Sequence, residues 1–212
     1  MATDWNSIRE EVLHMMREDE AVREALASTG ELFHGYHPAM EKVHLKHAQR
    51  MKDLVEEHGF PTQDKVGEEA CIAALRLVLH AISWPEFMRA QEVILVDLAK
   101  ANQVPKDYVA MLVDRIRFYE GRKQIYGTNA DWDENGILRV TDVENETELN
   151  QRRASMNLKP IETLVITPLD GDYHPTEPRK RQEEFLAWTH KVGWRTVCLL
   201  YTSDAADEGL GV

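Results

Sequence analysis

The stretch GYHPAMEKVHLKH, residues 35–47, packs three histidines, a glutamate and a methionine into thirteen residues. Imidazole changes charge nearest neutrality, so it serves as base, proton shuttle or metal ligand. His44 and His47 stand at i, i+3 and project from neighbouring ridges of one helical face. Glu41 lies one turn before His44, and His37 another turn earlier. Zinc takes three or four such nitrogen and oxygen ligands. His37, Glu41, His44 and His47 are therefore one candidate metal set, with a divalent ion such as zinc as the implied cofactor. The spacing is not H-E-x-x-H, in which one helix supplies two histidine ligands and a general base. A second helix has to complete the site, and His80 with Glu69 or Asp19 is the best complement. The alternative is a helix whose histidines are interfacial and partly solvated.

A second line of chemistry crosses the run CIAALRLVLHAI, which is apolar almost all round. Glu69, Ala73, Arg76 and His80 are spaced i, i+4, i+7, i+11 along it. Buried charge is costly unless paired, so Arg76 is expected to meet Asp19 or Glu69. Asp19 itself falls on an apolar stripe and needs a partner; Arg23, four residues on, is the local candidate. His44, His80 and Asp19 form the candidate catalytic set, either histidine acting as general base. Arg76 or Arg115 suits a bidentate clamp on a carboxylate or phosphate. Glu69 and Tyr126 complete the candidate ligand-binding residues. The plain alternative is an ion-pair network that fixes helix register.

Asp131-x-Asp133-x-Asn135-Gly136 matches the opening of a calcium loop, with Asp142 at its twelfth place. Asp stands there for the usual bidentate Glu, and the flanks read as strands. Asn-Gly is also the ordinary hairpin turn, and that reading is preferred. The glycine of Tyr126-Gly127-Thr128 suits a tight bend into the hairpin. Cys71 lies among apolar helical residues and reads as inert.

These residues need elements to hold them. Apolar residues at helical spacing predict helices over about 4–27, 38–58, 64–82 and 105–121, and a further one, fourth in order, that opens at 83–86 and turns Phe87, Ile94 and Leu98 to the core. Ser83-Trp84-Pro85-Glu86 reads as a capping box opening the fourth. A β-hairpin follows at about 123–142, then a short helix at about 146–156 and a last one at about 179–192. The expected fold is mainly α: a bundle of about five helices with a small β-hairpin (residues 1–157), then a C-terminal helical extension (158–197). Residues 198–212 resemble a translated sequencing adapter and are set aside as non-native.

Composition bounds the function. A chain of 212 residues, 43% hydrophobic, supports a packed core. The formal charge of −12 argues against nucleic acid as a partner. No apolar run reaches the roughly 18 residues of a membrane span, and MATDWNSIREE lacks the form of a secretory signal. A cytoplasmic protein with no membrane partner is expected.

GELFHGYHPAMEKVHLKHAQRM, HGFPTQDKVGEEA, LVLHAISWPEF, LVDRIRFYEGRKQIYGT and the ENETELNQRR run resemble, in order, a bacterial family catalogued as domain of unknown function 6624. The likeness covers roughly residues 5 to 160. Family members often carry Gln-His-Ala-Asp where this chain has Leu79-His80-Ala81-Ile82, and Tyr-Gly-Thr-Gln where it has Tyr126-Gly127-Thr128-Asn129. The resemblance implies a fold unit and motif positions and carries no mechanism. Two functional readings remain: an interhelical site for a small polar or anionic molecule, with metal-assisted hydrolytic or acid–base chemistry, and a non-enzymatic domain with a structural polar network and a protein partner.

Overall fold

The computed structural model describes residues 3–33, 35–168 and 174–196. The adapter-like residues 198–212 lie outside them. Among the described residues there are eight helices and one two-stranded antiparallel sheet, a mainly α architecture.

Helix α1 spans Trp5–Thr29. Asp4 caps it by accepting from the Ser7 amide at 3.2 Å, and Gly30 ends it in the left-handed conformation. Its inner face buries Ile8, Val12, Met15, Met16 and Leu26, together with Asp19. A 3-10 turn, Glu31–Phe33, leads to α2, Pro38–His58. Proline opens α2 where its missing N–H costs nothing. The inner face of α2 carries Met40, Ala48, Met51 and Leu54, and with them His44 and His47.

The third expected helix is two: α3, Gln63–Val66, and α4, Glu68–His80. The break is Gly67, at φ 81 and ψ 164, a backbone state open essentially to glycine alone. Helical spacing continues through this point because Val66 and Ala70, four residues apart, are both buried on either side of it. Helix α4 packs against α1, α2 and α6, which makes it the central element. Helices α5 (Pro85–Lys100) and α6 (Lys106–Glu120) pack on each other. The capping box expected at α5 does not form. The helix starts after Trp84 with no side-chain cap, and Ser83 donates to Glu41 of α2 instead. Among the described residues no helix is long and apolar enough to cross a membrane.

Strands β1 (Ala130–Trp132) and β2 (Leu138–Val140) pair with Asp131 opposite Arg139. Asp133 Oδ1 accepts from the Asn135 and Ile137 amides, both at 2.9 Å, and Gly136 takes φ 75. This acid is engaged in closing the hairpin turn. Helices α7 (Leu149–Ser155) and α8 (Pro178–Lys191) complete the described chain.

The segment between α6 and β1 is organised by three buried polar side chains. Asp114 accepts from the amides of Ile125, Tyr126 and Thr128 and from the Thr128 hydroxyl, at 2.7–3.2 Å. Gln124 accepts from the Thr128 and Asn129 amides and donates to Asn129 O and Thr141 O. Arg153 of α7 donates to the carbonyls of Tyr126, Gly127 and Lys159. Gly127 sits at φ 63, where an added Cβ would lie 3.3 Å from both Val140 and Val143. The QIYGTN motif is thus a backbone knot. Replacing Asp114 with Ala strands several buried donors, each costing about 1–3 kcal/mol. The expected loss, read by urea denaturation, is about 3–5 kcal/mol; a loss under about 1 kcal/mol would show that the knot holds without its acid.

Candidate functional site

Asp19 of α1, His44 of α2 and His80 at the end of α4 meet between the three helices. Their ligand atoms all lie within 4.8 Å of one another, a grouping found for no other His, Cys, Asp or Glu set among the described residues. Asp19 is fully buried. His80 Nδ1 lies 3.1 and 3.0 Å from its two oxygens. His44 Nε2 lies 3.0 Å from Asp19 Oδ2. The two contacts differ in kind. The His80 contact has hydrogen-bond direction. The His44 contact has the distance but not the direction, which leaves His44 Nε2 buried without a hydrogen-bond partner.

Burial alone would raise the Asp19 carboxyl, but its contacts with His44 and His80 outweigh that and hold it far below the usual range. For His80, burial dominates in the other direction and lowers the imidazole, against the pull of Asp19 and with help from His44 and Arg115. His80 is therefore held neutral, one nitrogen on a carboxylate and a fifth of its side chain (21%) exposed. That is the arrangement of an oriented base.

The surroundings are aromatic and hydroxylic. The Tyr36 hydroxyl lies 2.7 Å from His44 Nδ1, and the two rings stack at 5.7 Å. Burial pushes the Tyr36 phenol well above its ordinary value, so it stays protonated. Ser83 donates to Glu41 at 2.7 Å. Trp188 of α8 sets its edge against Tyr36 at 5.6 Å, and Tyr119 packs between Trp188 and Trp194. Trp194 Nε1 donates to Ile82 O at 2.6 Å and ties this cover to the end of α4.

The other expected site residues fall as follows. Arg115 donates to Leu79 O at 2.9 Å, beside His80. Arg76 does not meet Asp19 or Glu69. It reaches Glu20 at 2.7 Å with its side chain 35% exposed, while Glu69 lies at the surface against Arg9. Both lie at the exposed rim of the α1–α4 contact, where they pair with Arg9 and Glu20 of α1. Arg23 is exposed, so the Asp19 partners are the two histidines. Tyr126 belongs to the knot held by Asp114. The metal set expected on α2 does not converge. His37 caps the helix by accepting from the Ala39 amide at 3.1 Å, Glu41 takes Ser83, and His47 turns to Glu18 at 3.0 Å. Of that set only His44 enters the cluster with Asp19 and His80.

Tyr36, Ser83 and Trp188 were not among the expected site residues. Ser83 was hidden by its cap-like context. Tyr36 and Trp188 lie outside any helical spacing that would connect them to His44. Asp114 did carry a signal, the same one that marked Asp19: an acid on an apolar face, here among Ala110, Val113 and Ile116.

The profile of a family described as "Family of unknown function (DUF6624)" matches residues 6–174. The chain belongs to this family. No curated protein and no solved structure matches the chain. Asp19, Tyr36, His44, His80 and Ser83 lie inside the matched span of the DUF6624 family. Helix α8, with Trp188 and then Trp194, lies beyond it, so the aromatic cover is an addition to what the family match describes.

Two expected outcomes follow from these placements. Arg76→Met should cost less than about 1 kcal/mol, since a half-exposed ion pair contributes little; a loss of about 3 kcal/mol or more in denaturant would mean that Arg76 supports a buried carboxylate after all. Acidification should destabilise the metal-free protein. Burial holds His47 below its ordinary 6.5, against the pull of Glu18. The unfolded chain then binds more protons, and stability falls as pH drops below about 6.5; His80 acts in the same sense. Glu18, held at about 2 by Lys46 and His47, adds its loss only further into acid. The urea midpoint should be lower at pH 5.5 than at pH 7.5, with a smaller drop in His47→Gln. A midpoint that rises on acidification would mean that these imidazoles are charged in the fold.

Proposed function

We propose that this protein binds a divalent cation between α1, α2 and α4 through Asp19, His44 and His80, and uses it for hydrolytic or acid–base chemistry on a small polar or anionic molecule. The observation that carries this reading is His44 Nε2, buried, 3.0 Å from a carboxylate oxygen and without a hydrogen-bond partner. Such a nitrogen beside an anion is costly unless something positive sits between them. A tetrahedral cation bonded at about 2.1 Å sets its ligand atoms about 3.4 Å apart; here each imidazole nitrogen lies 3.0 Å from Asp19 Oδ2 and all three ligand atoms lie within 4.8 Å of one another. Two imidazoles and one carboxylate leave coordination positions for water and substrate, as in catalytic rather than structural sites. The partly exposed edge of His80 faces outward, and Arg115 beside it supplies positive charge for an anionic substrate.

A second reading, a non-enzymatic interaction domain with a structural polar network, is favoured by one feature: His80 engages both Asp19 oxygens, so the acid is paired without any ion. Elemental analysis of protein purified without chelator or affinity tag separates the two, followed by zinc titration of the stripped protein. The expected result is about one zinc per chain and a raised thermal midpoint, the His80 proton moving from Nδ1 to Nε2 as the metal takes Nδ1. His80→Gln should fold and lose most of this affinity. Absence of binding at stoichiometric concentration, with no midpoint change, would leave the structural network as the correct reading.

A further inference from the structure

Tyr36 lies in the short connection between the 3-10 turn and α2, with no helix of its own to hold it. Gly35 before it takes φ 81, and a Cβ there would meet nothing within 4 Å. Among the described residues two aromatic rings meet Tyr36. One is His44, stacked at 5.7 Å with the planes 26° apart. The other is Trp188 of α8, edge-on at 5.6 Å and 70°, a favoured aromatic geometry.

Trp188 is itself anchored. Tyr119 of α6 meets it at 5.5 Å, and Trp194 stacks on Tyr119 at 5.3 Å. Trp194 is 3% exposed and donates to Ile82 O, just past α4. Arg195 donates to Phe118 O and Tyr119 O, carbonyls at the end of α6. A continuous run of contacts leads from α8, seated on the ends of α4 and α6, through Tyr36 to His44.

We infer that Trp188 and Tyr36 are positioning residues that hold the His44 ring with its Nε2 beside Asp19. The second side-chain torsion of histidine is soft, so packing and hydrogen bonds must set the ring's orientation. Tyr36 supplies both: a stacked face, and a hydroxyl 2.7 Å from Nδ1. The contact serves in either direction, since a phenol donates to a bare nitrogen and accepts from a protonated one. Turning the ring would break it and carry Nε2 away from Asp19 Oδ2, now 3.0 Å off. One consequence rests on the cation reading above. If Nε2 binds a cation, docked α8 raises the affinity, and by reciprocity the bound cation holds α8 in place. Helix α8 lies beyond residues 6–174, so this coupling belongs to a part of the chain that the family match does not describe.

The test uses the full chain. In metal-free protein, nuclear Overhauser contacts between the Tyr36 and His44 rings are assigned with His44→Gln. They should be strong in the parent, weak in Trp188→Leu and recovered in Trp188→Phe, which keeps an aromatic edge. Zinc affinity of the stripped proteins should follow the same order, falling about 10-fold in Trp188→Leu, as for other outer partners of metal-binding histidines. Saturating zinc should slow amide exchange in α8 of the parent by about the same factor. If Trp188→Leu does not fold, Trp194→Phe, which removes the bond to Ile82 and keeps an aromatic ring, carries the test and should act in the same direction. Ring contacts that survive unchanged in the folded variant overturn the proposal. Weakened ring contacts with zinc affinity within about twofold of the parent's, or α8 exchange indifferent to zinc, overturn the coupling. A parent that binds no zinc defeats the cation reading, and the ring contacts alone then decide the positioning.

Discussion

A carboxylate with no exposed surface sits between two imidazoles, and the packing of three helices follows from it. Taking the Asp19 charge out of water costs several kcal/mol unless its partners arrive with good geometry. Those partners are His44 of α2 and His80 of α4. Helices α1, α2 and α4 can therefore rotate little about their own axes without stranding the acid. The apolar contacts of Val12, Met15, Met51 and Leu77 supply most of the burial. They tolerate several rotations; the polar contact selects one.

Asp114 is the same device used for a different end. It too is fully buried and fully paired, but its donors are backbone amides and one hydroxyl. Such donors have no second chemical state, so the arrangement can hold a loop and do nothing else. The groups around Asp19 are titratable rings with a second nitrogen each. That of His44 meets the Tyr36 hydroxyl, and the His80 ring is partly exposed. Two buried acids thus do different work: one shapes the hairpin, and the other joins three helices through titratable rings.

Much of this was legible in the residues. Apolar stripes and caps located the helices, and Asp19 and His80 stood out because each interrupts an apolar face. What periodicity does not encode is the rotation of one helix relative to the next. Arg76 and His80 share one line on α4, yet one turn separates a surface pair with Glu20 from the buried cluster. His44 and His47 share one face of α2, yet they divide between Asp19 and Glu18, successive residues of α1. The split at Gly67 was masked because Val66 and Ala70, four residues apart across it, keep the helical spacing. Ser83 and Trp188 could not be read, since their contacts with Glu41 and Tyr36 exist only once segments far apart in the chain have met; Tyr36 lies outside α2 and shares no helical spacing with His44.

The Trp194 bond to Ile82 joins residues 112 positions apart. Closing so long a loop is entropically late, and contacts of this range form after the local ones that reward them earlier. A chain emerging from the ribosome has all three cluster residues once position 80 is made, and helices α1, α2 and α4 can assemble around them. The aromatic cover must wait for another hundred or so residues of synthesis. The cluster is thus open to its surroundings first and roofed afterwards. The same order holds in reverse for partial opening, since the last segment to dock is the one that detaches at the lowest cost.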